Sequence, residues 1–108
     1  MEVYGLLKSG LEATELRSRV IANNIANINT PNYKRKYVEF EETLKDSMDK
    51  IAKPEIKTDT TSKVREDGNS VDLENEKVNQ AATTLEYNAL ITLTNIKIGM
   101  SRSVITGR

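Results

Sequence analysis

The last third of this chain contains no proline and is long enough to form one unbroken helix. It begins at Asp72, a good N-cap residue, and Glu74 and Glu76 place negative charge where the helix dipole favours it. From Asp72 to the end of the 108 residues, such a helix runs to roughly 50 Å. Because a compact domain of this size does not use so long a helix, the sequence predicts an elongated molecule.

The last third of this predicted helix is apolar on almost every side. Between Leu85 and Ile105 the charged residues are Glu86, Lys97 and Arg102. Such a helix is buried in its functional state, and a single N-terminal helix can cover only one side of it. We therefore expect the remaining surface to contact other subunits. The predicted inter-subunit residues on the two terminal helices are Leu7, Leu11, Ile21, Leu85, Leu90, Leu93, Ile96, Met100 and Val104.

A second helix is predicted at the N-terminus, from Val3 to about Ile28. Residues that recur at spacings of three and four define one face of this helix: Leu7, Leu11, Thr14, Ser18, Ile21, Ile25 and Ile28. The helix should end within residues 27–33. Asn tolerates left-handed backbone angles there, and Pro31 forces Thr30 toward an extended conformation.

Between these helices lies a polar insert, residues 29–71. Helical spacing of Phe40, Leu44, Met48 and Ile51 predicts a short amphipathic helix near 38–51. Residues 54–66 are rich in Thr, Lys and Asp, which favours short extended segments or a loop. The dipeptide at 67–68, Asp-Gly, predicts a turn.

The predicted fold is therefore a single, mainly α unit. Its N-terminal helix (1–28) and C-terminal helix (72–108) form an antiparallel, coiled-coil-like hairpin, and the short insert joins them. Aromatic residues make up only 5% of the chain, which is consistent with the thin core of an elongated molecule.

The residue types on which catalysis most often depends are missing. The chain has no Cys and no His, so it lacks a thiolate nucleophile and the commonest general base and metal ligand. The acidic stretch 67–72 fails as a calcium loop, because Asp72 and Val78 occupy the positions that need Gly and Glu. Carboxylate pairs such as Glu41-Glu42 fit solvated helical faces better than a catalytic pocket. We predict no enzyme, no cofactor, no metal site and no small-molecule substrate.

Charge also argues against nucleic acid. Sixteen acidic and sixteen basic residues give a net charge of zero, which exerts no general attraction on phosphate. The basic residues 34–36 lie between Tyr33 and Tyr37, a pattern that can bind single strands. Acidic residues follow at once, beginning with Glu39. Contact with an acidic patch of a neighbouring subunit, or simple solvation, fits the cluster better.

The end of the N-terminal helix carries a dense motif. Residues 19–36 read RVIANNIANINTPNYKRK, which closely resembles the signature of flagellar rod and hook proteins. The signature residues are Asn23, Asn24, Ile25, Ala26, Asn27, Thr30, Pro31, Tyr33 and Lys34. The stretches DGNSVDLENE at 67–76 and LEYNAL at 85–90, and residues 101–105, are similar to the short proximal rod proteins of that family. The chain lacks the large central domains of the hook and distal rod proteins.

This resemblance implies a structural role. Members of the family are exported through the flagellar type III apparatus without cleavage. They polymerise through their terminal helices into the rod, the drive shaft that carries torque across the cell envelope. The implied partners are further copies of the chain, the rod subunits FlgC and FlgF, the basal adaptor FliE, the export apparatus and the membrane ring. The implied location is the flagellar basal body, periplasmic where an outer membrane is present.

The chain's first residues agree with export of that kind. Residues 1–11 carry Glu2 and Lys8 and lack a continuous apolar core, so no cleaved signal peptide is predicted.

The asparagines of the signature invite a hypothesis of their own. Asn23, Asn24 and Asn27 are adjacent or three to four residues apart, which brings their side chains together near the helix end. Their amides could fix the register of the two helices and the direction in which the chain leaves. For Asn27 and Asn29, ordinary capping and turn formation explain the residues equally well.

A competing interpretation is a soluble helical adaptor or export chaperone of the flagellar system, which would bind a helix in a groove. It predicts a stable small oligomer in isolation. A rod subunit should instead be a monomer whose termini become ordered on assembly.

Overall fold

The computed structural model describes residues 3–40 and 53–107. Within these two ranges, four elements follow one another: helix α1 (Val3–Ala26), strand β1 (Lys36–Glu39), strand β2 (Glu55–Thr58) and helix α2 (Leu73–Thr106). The molecule measures 64 × 26 × 14 Å, so the predicted elongated shape is confirmed.

The two helices pack side by side in opposite directions. Three contacts establish this, because the partner number on α2 falls as the number on α1 rises. The Tyr4 hydroxyl and the Ser101 Oγ lie 2.9 Å apart, and Arg17 donates to Glu86 at 3.3 Å. Near the other end, the amide of Asn24 donates to the Glu76 carboxylate. The predicted antiparallel hairpin is confirmed.

Helix α2 begins and ends on well-formed caps. The Asp72 side chain accepts hydrogen bonds from the backbone N–H groups of Glu74 and Asn75, as its sequence position predicts. At the other end Gly107 adopts the left-handed conformation, φ 72°, and donates its N–H to the Ser103 carbonyl oxygen. Both caps satisfy backbone groups that a helix leaves open at its ends.

Helix α1 ends two residues before the predicted Ile28. The backbone N–H of Asn27 is shared between the carbonyl oxygens of Asn23 and Asn24, at 3.1 and 3.2 Å, and the N–H of Ile28 bonds only three residues back, to the Ile25 carbonyl at 3.2 Å. The N–H of Thr30 continues this pattern with the Asn27 carbonyl. This tighter, 3₁₀-type turn ends the α-helix before Pro31.

The insert contains a two-stranded antiparallel ribbon. Lys36 pairs with Thr58, and Glu39 pairs with Glu55, which confirms the expected short extended segments within 54–66. The amphipathic helix predicted near 38–51 is wrong at its start, because residues 38–39 belong to β1. Pairing with β2 outweighs the local helical spacing there. Residues 41–51 of that predicted helix lie outside the described residues.

The Asp67-Gly68 turn is confirmed and tightly packed. The N–H of Gly68 bonds to the Arg65 carbonyl at 2.9 Å, and Gly68 has φ 82°. A Cβ added at this position would lie 2.2 Å from Oδ1 of Asn32. Only glycine fits, because both the backbone angle and the space exclude a side chain.

Candidate functional site

Helix α2 turns mostly polar residues toward α1 and exposes most of its large apolar side chains. The residues that it turns toward α1 are mostly polar: Glu76 and Thr83 are buried, and Thr94, Lys97 and Ser101 are half-buried, with Leu90 the apolar member of this face. Large apolar side chains point away from the chain instead. Leu85 is 72% exposed and Val104 is 85% exposed. A helix normally buries its apolar face within its own domain, so this face is suited to a contact outside it.

The predicted inter-subunit residues divide into three groups in this structure. Leu7 and Ile21 are buried within the hairpin, so they contribute to its core and not to its surface. Leu11 and Leu90 are half-buried. The remaining five form the exposed apolar face of α2: Leu85, Leu93, Ile96, Met100 and Val104.

Beside this face an apolar groove runs between the two helices. Its volume is about 420 Å³, and its lining includes Leu6, Gly10, Ala13, Phe40, Leu90 and Leu93. Gly10 lets the helices approach, because a Cβ there would lie 3.2 Å from Cδ1 of Leu90. Phe40 and Ala13 are buried and in contact, so they form the floor of the groove.

At the opposite end of the hairpin the core is polar. Asn24 is completely buried, and its amide forms hydrogen bonds in both directions. Its Nδ2 donates to the Lys36 carbonyl at 2.8 Å and to the Glu76 carboxylate at 3.2 Å. Its Oδ1 accepts from the Lys36 N–H at 3.0 Å and from the Tyr33 hydroxyl at 3.1 Å. One side chain thus joins α1, α2 and the edge of β1.

Glu76 continues this network through Arg35. The Nε of Arg35 donates to Glu76 at 2.8 Å, and its Nη1 donates to Asp59 at 2.9 Å. Burial disfavours the guanidinium cation, yet these two carboxylates raise the pKa of Arg35 above its usual value. The hydroxyl of Ser62, backbone N–H donors and Arg35 hold the pKa of the Asp59 carboxyl well below its usual range, against the opposing effect of burial.

A second buried amide secures the turn after α1. Asn69 is completely buried, and its Nδ2 donates to three carbonyl oxygens, those of Asn27, Ile28 and Thr30. Its Oδ1 accepts from the Val71 N–H at 2.7 Å. The carbonyls of the turn that follows α1 are therefore satisfied from the segment that leads into α2. We call the residues Asn24, Arg35, Asp59, Asn69 and Glu76 the polar junction.

Most of the signature residues meet at this junction. Asn23 donates to the Tyr33 hydroxyl at 3.1 Å, Thr30 donates to the Asn27 side chain at 3.1 Å, and Lys34 donates to the Gly68 carbonyl. Ile25 is half-buried, whereas Ala26 and Pro31 are exposed. The structure brings six of the nine signature residues into one hydrogen-bonded region: Asn23, Asn24, Asn27, Thr30, Tyr33 and Lys34.

Sequence reasoning assigned no common site to four members of the junction: Arg35, Asp59, Asn69 and Glu76. It named Glu76 only as a charge in the first turn of α2, and Arg35 only as part of the basic cluster 34–36. The position of Glu76 could have indicated that it faces α1. It lies seven residues before Thr83 and fourteen before Leu90, so the three residues share one face of α2. Asp59 and Asn69 each bind a residue two or three positions away, Thr61 and Ser62 for Asp59 and Val71 for Asn69, which signals a local turn and no more. Their bonds across the fold carried no signal, since Arg35 and Asn27 are 24 and 42 residues distant in sequence.

The described residues contain no group of acidic side chains arranged to hold a metal ion. Within residues 3–40 and 53–107, no helix combines the length and apolarity needed to span a membrane.

An elongated hairpin with its apolar face turned outward defines a structural subunit of a larger assembly. Residues 7–34 match the family described as flagella basal body rod protein. By its similarity along almost its whole length to proteins named FlgB, the chain belongs to this flagellar basal body rod family.

Two relatives carry that similarity. The flagellar basal body rod protein FlgB of Bacillus subtilis is 31% identical, over 94% of this chain and 91% of its own length. FlgB of Borrelia hermsii is 32% identical, over 87% of this chain and 86% of its own. The basal-body rod protein FlgG of Agrobacterium fabrum is 46% identical over 44 residues, which are 41% of this chain and 17% of that protein. A structural rod subunit is thereby supported, and the helical adaptor or chaperone is not favoured.

Proposed function

We propose that this chain is a subunit of the proximal rod and polymerises through the exposed face of α2 into the drive shaft of the flagellum. The main support is that α2 packs a mostly polar face against α1. Its apolar face, Leu85, Leu93, Ile96, Met100 and Val104, is left outside the chain's own core. Full burial of each such side chain contributes about 1.5–3 kcal/mol. Long helices that interdigitate along such a face resist twisting, which a shaft under torque requires.

The family and the signature segment support a proposal for the partners. We propose contacts with further copies of this chain, with FlgC and FlgF, and with FliE at the base, next to the export apparatus and the membrane ring. The FlgG relative matches over only 44 residues at 46% identity, which supports a segment common to different rod subunits. The proposed location is the rod within the cell envelope, in the periplasm where an outer membrane exists. Export would proceed without a cleaved signal peptide.

We propose that the junction keeps α1 and α2 in one register while the exposed face remains available to neighbours. Asn24 supports this role, since it contacts both Glu76 on α2 and the backbone of Lys36. For Asn27, capping of the end of α1 is an equal alternative to the register role, because its Nδ2 donates to the Asn23 carbonyl at 2.8 Å. Normal rod assembly and motility in an Asn23→Ala/Asn24→Ala double variant would overturn the register role.

The test is to find the chain and its neighbours in purified hook–basal bodies. A photo-reactive residue is placed at Ile96, on the exposed face, and in a matched strain at Lys77, an exposed polar position of the same helix. Irradiated cells yield basal bodies whose cross-linked products are identified by mass spectrometry. We expect products with rod proteins from position 96 and few from position 77. Absence of the chain from the particles would refute the proposed function.

A further inference from the structure

Helix α2 extends beyond the level at which α1 begins. Tyr4, in the first turn of α1, lies opposite Ser101, and α2 continues to Thr106. The extension is about 7 Å long at 1.5 Å per residue. We call residues 102–106 the tip. Val104 and Ile105 are 85% and 83% exposed, and all five tip residues are exposed.

The apolar groove described above offers a matching receptor. Its 420 Å³ would hold on the order of ten water molecules, at about 30 Å³ each. Water in so apolar a space finds few hydrogen-bond partners, so its displacement by apolar side chains is favourable. Leu6 and Leu93 stand exposed at the rim, where an incoming helix end would add to their burial.

We propose that the tip of one copy of this chain docks into the apolar groove of a second copy, so that copies join head to tail. The inference rests on the proposed function, assembly through α2, and names the two surfaces that meet. Val104 and Ile105 supply the apolar side chains, and the groove beside Leu90 receives them. The tip and the groove lie at different places on the same molecule, so the contact is heterologous and produces an open chain of copies.

The positions of the tip and the groove determine the axial displacement between neighbouring copies. Val104 and Leu90 are 14 residues apart on α2, which corresponds to about 21 Å. Copies that point the same way and are displaced by that distance bring the tip of one to the groove of the next. The displacement is far shorter than the 64 Å molecule, so neighbouring hairpins overlap along most of their length.

Charge favours this arrangement over a contact between two tips. The displacement brings Arg102 of the tip within about 3 Å, along the axis, of the level of Glu86. Glu86 lines the groove, and its side chain is 52% exposed. Although it already binds Arg17, a carboxylate can accept several donors. Two tips placed together would instead bring Arg102 against its own copy, and like charges oppose that contact.

The absence of cysteine from the sequence makes the contact testable by disulfide formation. The variant Leu93→Cys/Val104→Cys carries one thiol at the groove and one at the tip. The two positions are 11 residues apart on one helix, about 16 Å, which no disulfide within a single chain can span. Both side chains are exposed, so the substitutions leave the core intact. Controls are each single variant and Gln80→Cys/Val104→Cys, which moves the receptor thiol to an exposed polar position.

Basal bodies are purified from cells that carry each variant, oxidised mildly and separated without reductant. We expect the Leu93→Cys/Val104→Cys chain to form a ladder of dimers and higher multimers, at least tenfold more abundant than in any control. Dimers from Val104→Cys alone would show contact between tips and overturn the proposal. Particles that contain the chain but yield no ladder would also overturn it, while leaving the proposed rod function intact. Absence of the unsubstituted chain from the particles would instead refute the rod function itself.

Discussion

Asn24 of α1 donates a hydrogen bond to the carboxylate of Glu76 on α2, 3.2 Å away, and both side chains are completely buried. The contact joins the two helices at the end of the hairpin opposite the tip. A slip of either helix would break this hydrogen bond and leave one buried Glu76 oxygen without its donor, so the contact favours a single register. The apolar face of α2, by contrast, is free to serve other contacts.

The first prediction concerns the removal of this amide. Asn24→Ala leaves the N–H and carbonyl of Lys36 and one Glu76 oxygen without their partner. We expect the free energy of unfolding to fall by about 2–4 kcal/mol, measured by urea denaturation of the purified chain. Asn23→Ala is the matched control, because Asn23 is exposed; its loss should stay below about 1 kcal/mol. Equal losses in the two variants would contradict a special role for the buried amide.

The second prediction concerns acid. The pKa of Asp59 is held below its usual range in the folded chain by Ser62, Thr61 and Arg35. In the unfolded chain an Asp carboxyl has a pKa of about 4. Above that pH the ionised Asp59 contributes its full stabilisation to the folded chain, and this contribution is lost as the pH falls from there toward the lower pKa of the folded state. The unfolding midpoint in urea should therefore decrease as the pH is lowered below about 4.

The control for this pH dependence is Asp59→Asn. This variant should be less stable than the wild type at pH 7, and its stability should change less between pH 4 and pH 2. A variant with the same acid profile as the wild type would show that other carboxylates determine the acid response.

The sequence was sufficient to predict the elements whose causes are local. Asp72 and the acidic residues after it marked the start of α2, and Pro31 with its neighbouring asparagines marked the end of α1 within two residues. The antiparallel hairpin followed from the length and apolarity of the two helices, and the Asp-Gly turn from the conformational preference of Gly68. The helix ends and the turn depend on residues at most a few positions apart, whereas the hairpin was inferred from the two helices taken together.

The features that the sequence did not predict depend on distant partners. The strand at 36–39 exists because β2 pairs with it and Asn24 binds its edge, and neither partner is adjacent in sequence. The chain from Glu76 through Arg35 to Asp59 joins three segments. Helical periodicity also did not reveal which face of α2 turns toward α1, since the buried face proved to be the polar one.

The third prediction compares two glycines with positive φ. Gly68 (φ 82°) and Gly107 (φ 72°) both disfavour a side chain through the backbone, but only at Gly68 would a Cβ meet another group, Oδ1 of Asn32 at 2.2 Å. Gly107→Ala should lower the free energy of unfolding by about 1 kcal/mol. Gly68→Ala should lower it by at least about 1 kcal/mol more, because the Asn32 region must move. Thermal unfolding measures both, and equal effects would show that the turn relaxes without strain.

The fourth prediction separates the stability of the free chain from its assembly. Gly99 lies inside α2, and a Cβ built there has no atom within 4 Å. Gly99→Ala should therefore stabilise the isolated chain by about 0.5–1 kcal/mol, through helix propensity alone. Gly99 lies beside the exposed apolar face of α2 and not on it. If the neighbouring subunits that we propose also cover this part of α2, the added methyl group will meet a neighbour, and swimming speed and rod yield should fall.

Asn95→Ala is the matched control for Gly99→Ala. Asn95 is also exposed on α2, and its replacement raises helix propensity while removing atoms instead of adding them. It should stabilise the free chain by a few tenths of a kcal/mol and leave motility unchanged. A Gly99→Ala strain that swims normally would show that no neighbour approaches α2 closely at this position. A loss of motility in both strains would trace the defect to helix rigidity and not to contact, because only one of the two changes adds volume.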